Sequence, residues 1–102
     1  MSAVSGLLGL ACRAGQIALG ADIALQEIRS GKAALLLLDA AASEGPKKKL
    51  LDACAFRSVP VYTLPEDEIS HACGRDGRMA AAVRKGNLAK RMEELLSAEA
   101  EK

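Results

Sequence analysis

The apolar positions of this chain recur with two periods, and the two alternate along it. Val4, Leu7, Leu8 and Ala11 fall on one face of a helix that ends near Gly15. Ile17–Leu19 is a short apolar run before Gly20 and reads as a short strand. Ala21, Ala24, Leu25 and Ile28 return to helical spacing, which predicts a helix over residues 21–30 with Gly31 as its stop. Ala34–Leu38 is continuously apolar, as for a strand covered on both faces. Pro46 suits the first turn of a third helix, whose apolar side is Leu50, Leu51, Cys54 and Ala55. Val59–Leu64 is β-branched and aromatic, hence a strand. Pro65 then opens a helix over Glu66–Cys73 with its acidic residues first. Met79–Val83 is a fourth buried strand. Asn87 is a suitable N-cap for a last helix with Leu88, Met92, Leu95 and Leu96 turned inward.

Helix and strand alternate throughout. That pattern predicts an α/β fold, a three-layer α/β/α sandwich around a four-stranded, mixed, mostly parallel sheet. At 102 residues, one domain over 1–102 is expected, with an acidic tail over about 97–102. Loops at the C-terminal ends of such strands usually carry the binding site.

Composition narrows the picture. The chain is 50% hydrophobic and 26% charged, the balance of a folded protein and not of a disordered one. Its longest apolar run, Ala33–Leu38, is too short to span a bilayer. Residues Met1 to Gly6 lack the basic opening of a signal peptide. A cytoplasmic protein with its full chain intact is expected. Cys12, Cys54 and Cys73 form no C-x-x-C pair and share the chain with one histidine. That argues against a zinc site or a disulfide framework and for three buried, reduced thiols. No metal or cofactor is expected.

Phe56 and Tyr62 are the only aromatic residues. Modules that read single-stranded nucleic acid need a row of aromatics on which bases stack, so that class is disfavoured. The net charge of +1 hides an uneven distribution. Residues 69–92 carry a net +5, from Arg75, Arg78, Arg84, Lys85, Lys90 and Arg91 against Asp76, and the last ten residues carry −3. A basic surface facing a polyanion, with a solubilising acidic end, fits that asymmetry.

Three segments are candidate sites. In the helix after Gly20, the period places Asp22, Ile23 and Gln26 away from the buried stripe. Gly20 permits a close backbone approach, and helix N-terminal amides favour an anion. Asp22 (acceptor), Gln26 (donor and acceptor) and apolar Ile23 can together read a base edge. The bland reading is a turn glycine, an acid favoured by the helix dipole and a stray surface isoleucine.

The second segment is Lys47-Lys48-Lys49. Lysines in the first turn of a helix oppose its macrodipole by about 0.3–1 kcal/mol each, a penalty that a phosphate ligand would reverse. The alternative is a solvated charge run. The third is Gly74-Arg75-Asp76-Gly77-Arg78, a basic loop that superficially matches the G-x-x-G clamp of KH domains. A KH clamp joins two helices, whereas a strand is predicted after this loop. Phosphate contacts by Arg75 and Arg78 compete with a tight turn carrying solvated arginines. His71 stands two residues from Cys73, a spacing that turns the two side chains to different helix faces, and no other catalytic set is present.

Leu7-Leu8-Gly9-Leu10-Ala11-Cys12-Arg13-Ala14-Gly15-Gln16 resembles the LLGLA-x-RAGK opening of the YlxQ-like bacterial branch of the kink-turn RNA-binding ribosomal proteins, the L7Ae and L30e superfamily. The likeness continues through Gly20, Ile28 to Ala33, Leu35–Leu38, Lys48-Lys49-Leu50, Cys54, Val59-Pro60-Val61 and Gly74 to Arg78, over about residues 6–96. It implies a non-catalytic α/β/α protein that binds structured RNA and is associated with the ribosome or ribosomal RNA. Members grip a sharply bent RNA helix with the helix after a glycine, the loop after the second strand and the loop before the last. Those are the three segments named above. The implied RNA-binding residues are Gly20, Asp22, Ile23, Gln26, Lys47, Lys48, Arg75 and Arg78.

Asp22, Ile23 and Gln26 stand where the family pattern has Asn, Glu and Lys. Asp22 can accept from a guanine N–H but cannot donate to its O6. Gln26 can donate there but brings no charge, and Ile23 does neither. Ala40-Ala41 stands where the branch often has Glu-Asp. The competing function is a protein-interaction module that keeps the fold without specific kink-turn recognition. A monomer or weak dimer without membrane attachment is expected on either reading.

Overall fold

In a computed structural model, residues 3–100 are described. The elements run α1 (Ala3–Arg13), β1 (Ile17–Leu19), α2 (Ala21–Arg29), β2 (Ala33–Asp39), α3 (Glu44–Arg57), β3 (Val61–Leu64), α4 (Glu68–Cys73), β4 (Ala80–Arg84) and α5 (Asn87–Ala100). Each element expected from periodicity is present. The boundaries moved where the backbone turns. The chain bends at Asp67, with φ 67°, so α4 starts after the acidic pair at 66 and 67. The amide of Lys90 donates to the carbonyl of Gly86, which makes Gly86, not Asn87, the cap of α5. The expected C-terminal tail is helical as far as Ala100, and residues 101–102 lie outside the described part.

The sheet has the order β1-β4-β2-β3. Of its three pairings, only β2 with β3 is parallel; β4 runs antiparallel to both β1 and β2. The expectation of a mostly parallel sheet is therefore corrected. The cause is the length of α4. A crossover returning the chain to the start of a parallel strand must span the whole sheet, and a six-residue helix advances only about 9 Å. β4 therefore enters at the end where β3 leaves, pairing Ala80 with Leu38.

Alternation along β2 sorts the core into two halves. Leu35 and Leu37, with Ala81 and Val83 of β4, face α1, α4 and α5, where Leu8, Ile69 and Met92 are buried. Leu36 and Leu38, with Ala80 and Ala82, face α2 and α3, where Ile28, Leu50 and Cys54 are buried. Both central strands are thus covered on two faces, which explains their unbroken apolar runs. α3 contributes a narrower stripe than expected. Leu50 and Cys54 are buried, but Leu51 and Ala55 are exposed.

The expectation of three reduced thiols is corrected as well. Cys12 at the end of α1 and Cys73 at the end of α4 form a disulfide, with their Cα atoms 5.9 Å apart. α1 and α4 lie side by side on one face of the sheet, so residues 61 apart in sequence meet. Cys54 is free and buried, as expected, and burial pushes its thiol up to about 11.

Candidate nucleic-acid interface

The reversed entry of β4 gathers three loops at one end of the sheet. There the amide of Gly20 donates to the carbonyl of Ala80 (2.9 Å), and the amide of Asp39 donates to that of Met79 (2.8 Å). Gly20 adopts φ 116° and ψ 152°, a backbone conformation that L side chains rarely reach, and this turn sets the start of α2. Asp22, Ile23 and Gln26 are exposed, as the period requires, and Ile23 retains 53% of its accessible surface. The stripe beneath them differs in one residue from the apolar reading. Glu27 is buried, and its carboxylate takes the Nε–H of Arg84 at 2.5 Å.

The loop between β2 and α3 is held by Asp39. Its buried carboxylate accepts from the amides of Ala41 (2.7 Å) and Asp67 (2.9 Å), tying this loop to the turn before α4. α3 then starts with Ser43 as cap, without a side-chain capping bond. Lys47 is half-buried and Lys48 exposed.

The loop between α4 and β4 is pinned by Ser70. The hydroxyl of Ser70 donates to the Arg78 carbonyl, and the Arg78 amide donates back to that hydroxyl at 2.9 Å. Arg75 is exposed and Arg78 half-buried. β4 begins at Ala80, so this segment joins a helix to a strand and is no KH clamp.

Two clefts open around these loops and share Arg78 alone. The smaller, about 170 Å³, brings together Gly20, Ala42, Pro46, Lys47, Gly77 and Arg78. The larger, about 490 Å³, lies against edge strand β1 and brings Ile23, Arg75 and Arg78 to the disulfide, with Arg13 and Arg84. Of the expected residues, Gly20, Lys47 and Arg78 thus meet in one cleft, and Ile23, Arg75 and Arg78 in the other. Asp22, Gln26 and Lys48 line neither. Sequence reasoning did not single out Asp39 or Ser70 as residues that hold these loops, nor Arg13 and Arg84 (the latter at the far end of β4 from Ala80) as lining of the larger cleft. Arg84 carried a signal in its place within the basic stretch, and Arg13 one in the opening motif.

Basic loops gathered at the end of a mixed sheet, with no cluster of metal ligands among the described residues, define a small α/β protein with arginine-lined and lysine-lined clefts. The chain belongs to the ribosomal protein L7Ae/L30e/S12e/Gadd45 family, whose pattern matches residues 2–93. It is 34% identical over 91 residues to the RNA-binding protein YlxQ of Bacillus subtilis (strain 168), covering 88% of this chain and 91% of that one. The RNA-binding protein YlxQ of Enterococcus faecium is 35% identical over 91 residues, covering 88% and 87%. A protein with unknown function from Bacillus halodurans C has the same fold, with TM-score 0.88 and 28% identity over 95% of this chain and 99% of that one. The Giardia lamblia 15.5kD RNA binding protein superposes with TM-score 0.73 at 22% identity over 92% and 84%, a likeness of fold alone. No helix among the described residues is long and apolar enough to cross a membrane.

Proposed function

We propose that this protein is a non-catalytic RNA-binding protein that grips a folded, kink-turn-like RNA and works on the ribosome or its RNA. The observation that carries the reading is the meeting of Gly20, Lys47 and Arg78, from three separate segments, around one cleft. Gly20 lets an RNA backbone approach the start of α2. Lys47, at the end of the first turn of α3, and Lys48, the next residue, take phosphates near the helix start, where the macrodipole favours an anion. Arg75 and Arg78 take phosphates from the loop before β4. Asp22, Ile23 and Gln26 face outward to meet base edges. The names of the YlxQ relatives support RNA as the partner. A protein-interaction module is the second reading, drawn from exposed Ile23 on the recognition helix.

The deciding experiment is a binding titration against a kink-turn RNA, a matched straight duplex and an unstructured homopolymer. The kink-turn should bind tightest and the homopolymer weakest. Equal affinity for all three, or no binding at low salt, would defeat the reading and favour the protein-interaction module.

A further inference from the structure

The larger cleft is chemically unlike the smaller one. Four arginines from three places in the chain line it: Arg13 at the end of α1, Arg75 and Arg78 before β4, and Arg84 at the end of β4. Its floor is edge strand β1, and Ile17, Leu19 and Ile23 add apolar surface. Two of the arginines are held in place. Arg84 donates from Nε to buried Glu27 and from Nη1 to the Gly15 carbonyl at 3.3 Å. Arg78 is fixed through its backbone to Ser70, while its Nε is the one buried side-chain polar atom without a partner among the described residues. A buried guanidinium N–H without an acceptor is a group that an anion would satisfy.

Glu27, outside the cleft, offsets part of the charge of Arg84, and no acidic residue lines the cleft. Guanidinium groups crowded at one cavity repel each other, and their planar forks match the oxygens of a phosphate. A volume of about 490 Å³ falls within the range of small-molecule sites. The apolar side offers a flat group a place beside the charged one.

We infer that this cleft is a phosphate-binding site in its own right, which takes a phosphoryl group with an attached nucleoside. The group comes from a free nucleotide or from a nucleotide of a bound RNA chain. Arg13, Arg75, Arg78 and Arg84 hold the phosphoryl oxygens, and Ile17, Leu19 and Ile23 face the nucleoside. The site does not require the RNA reading when the nucleotide is free; the RNA-chain source rests on it.

The test uses the full chain and follows backbone amide shifts and calorimetry with inorganic phosphate, AMP and adenosine, beside a titration with kink-turn RNA. AMP should bind, phosphate more weakly, and adenosine not measurably. Arg13→Gln removes an exposed arginine that lines only this cleft and should weaken AMP about tenfold or more. Arg13→Lys should restore part of that loss, and thermal melting checks that both variants fold. Lys47→Gln, in the other cleft, should leave AMP affinity unchanged.

Loss of AMP binding in Arg13→Gln with RNA affinity intact identifies the free nucleotide as the source. Loss of both identifies the RNA chain. If the parent protein binds AMP but no RNA, the RNA reading falls and the cleft stands. The inference is overturned if neither phosphate nor AMP shifts residues of the cleft, if adenosine binds as well as AMP, or if Arg13→Gln leaves AMP affinity untouched. It is also overturned if Lys47→Gln weakens AMP as much as Arg13→Gln does.

Discussion

Arg78 and Gly20 are neighbours across the end of the sheet. A Cβ placed on Gly20 would stand 3.8 Å from Arg78 Nη1, so the guanidinium lies over the bare backbone at the start of α2. The same arginine separates the two clefts. Its position couples the helix expected to read bases to the loop expected to hold phosphates.

Replacing Gly20 tests that coupling. At φ 116° an alanine is strained, with a penalty of about 1–3 kcal/mol. Gly20→Ala should lower the melting temperature by roughly 4–8 °C for each kcal/mol lost. It should also weaken RNA binding more than the stability loss explains, because relief of the φ strain moves the start of α2, while the added Cβ makes only an ordinary contact with Arg78. Unchanged RNA affinity in the folded variant would separate α2 from the interface.

Phosphate contacts have a signature in salt. If about four phosphates are neutralised, log K against log[salt] should fall with a slope of roughly −3 to −4. Arg75→Ala with Arg78→Ala should make that slope shallower and weaken binding to all RNA sequences alike. Arg75 is exposed, so its share of stability should stay within about 0.5 kcal/mol. A double variant that unfolds while keeping its RNA affinity would make this loop structural.

Local patterns made the elements legible, and side-chain period placed Asp22, Ile23 and Gln26 on the outer face of α2. Both follow from neighbours a few residues apart. The order of the strands does not. Ala80–Val83 reads as a buried strand whether it lies at the centre or runs beside either neighbour, and only the short α4 decides its direction. The disulfide was illegible for the same reason. Cys12 and Cys73 meet because two helices pack on one face of the sheet, and no spacing rule anticipates a pair 61 residues apart. Arg13 was part of a recognised motif but stood outside the basic stretch, so charge counting passed over it. Glu27 is buried beside the apolar stripe of α2 because the fold brings Arg84, 57 residues away, to its carboxylate.

The cysteines make a separate prediction. Closing a loop of this length stabilises a chain by roughly 4 kcal/mol in the chain-entropy model. Reduction of Cys12–Cys73 should therefore lower the denaturant midpoint, and Cys12→Ser with Cys73→Ser should reproduce the reduced protein. Equal midpoints in oxidised and reduced samples would show that the bond adds nothing.

Cys54 gives stability a pH dependence of known sign. Its thiol ionises at about 11 in the folded chain, against 9.0 for the ordinary group, because burial disfavours the thiolate. The unfolded chain loses the proton first. The contribution is thus fully present below pH 9.0 and is lost as pH rises towards about 11, by roughly 2–3 kcal/mol. Cys54→Ala should flatten the stability curve over that window, relative to the parent. An identical decline in both proteins would assign it to other groups.

Helix α2 offers the sharpest test of the proposed kink-turn specificity. Asp22→Asn, Ile23→Glu and Gln26→Lys together restore the family pattern at three exposed positions, so the fold should tolerate them. Asn adds a donor at 22, Glu an acceptor for a guanine edge at 23, and Lys a charge at 26. Each good base contact is worth about 1–3 kcal/mol of discrimination. The middle change has a second consequence, because Ile23 lines the arginine cleft. A carboxylate there would compete for Arg75 and Arg78, so Ile23→Glu alone should weaken phosphate binding in the cleft. The triple variant should therefore bind a kink-turn more tightly than the parent does, gain little on a matched straight duplex, and bind AMP less well. Equal kink-turn affinity in parent and triple variant would remove α2 as the reading element and leave the protein-interaction module as the better account of this surface.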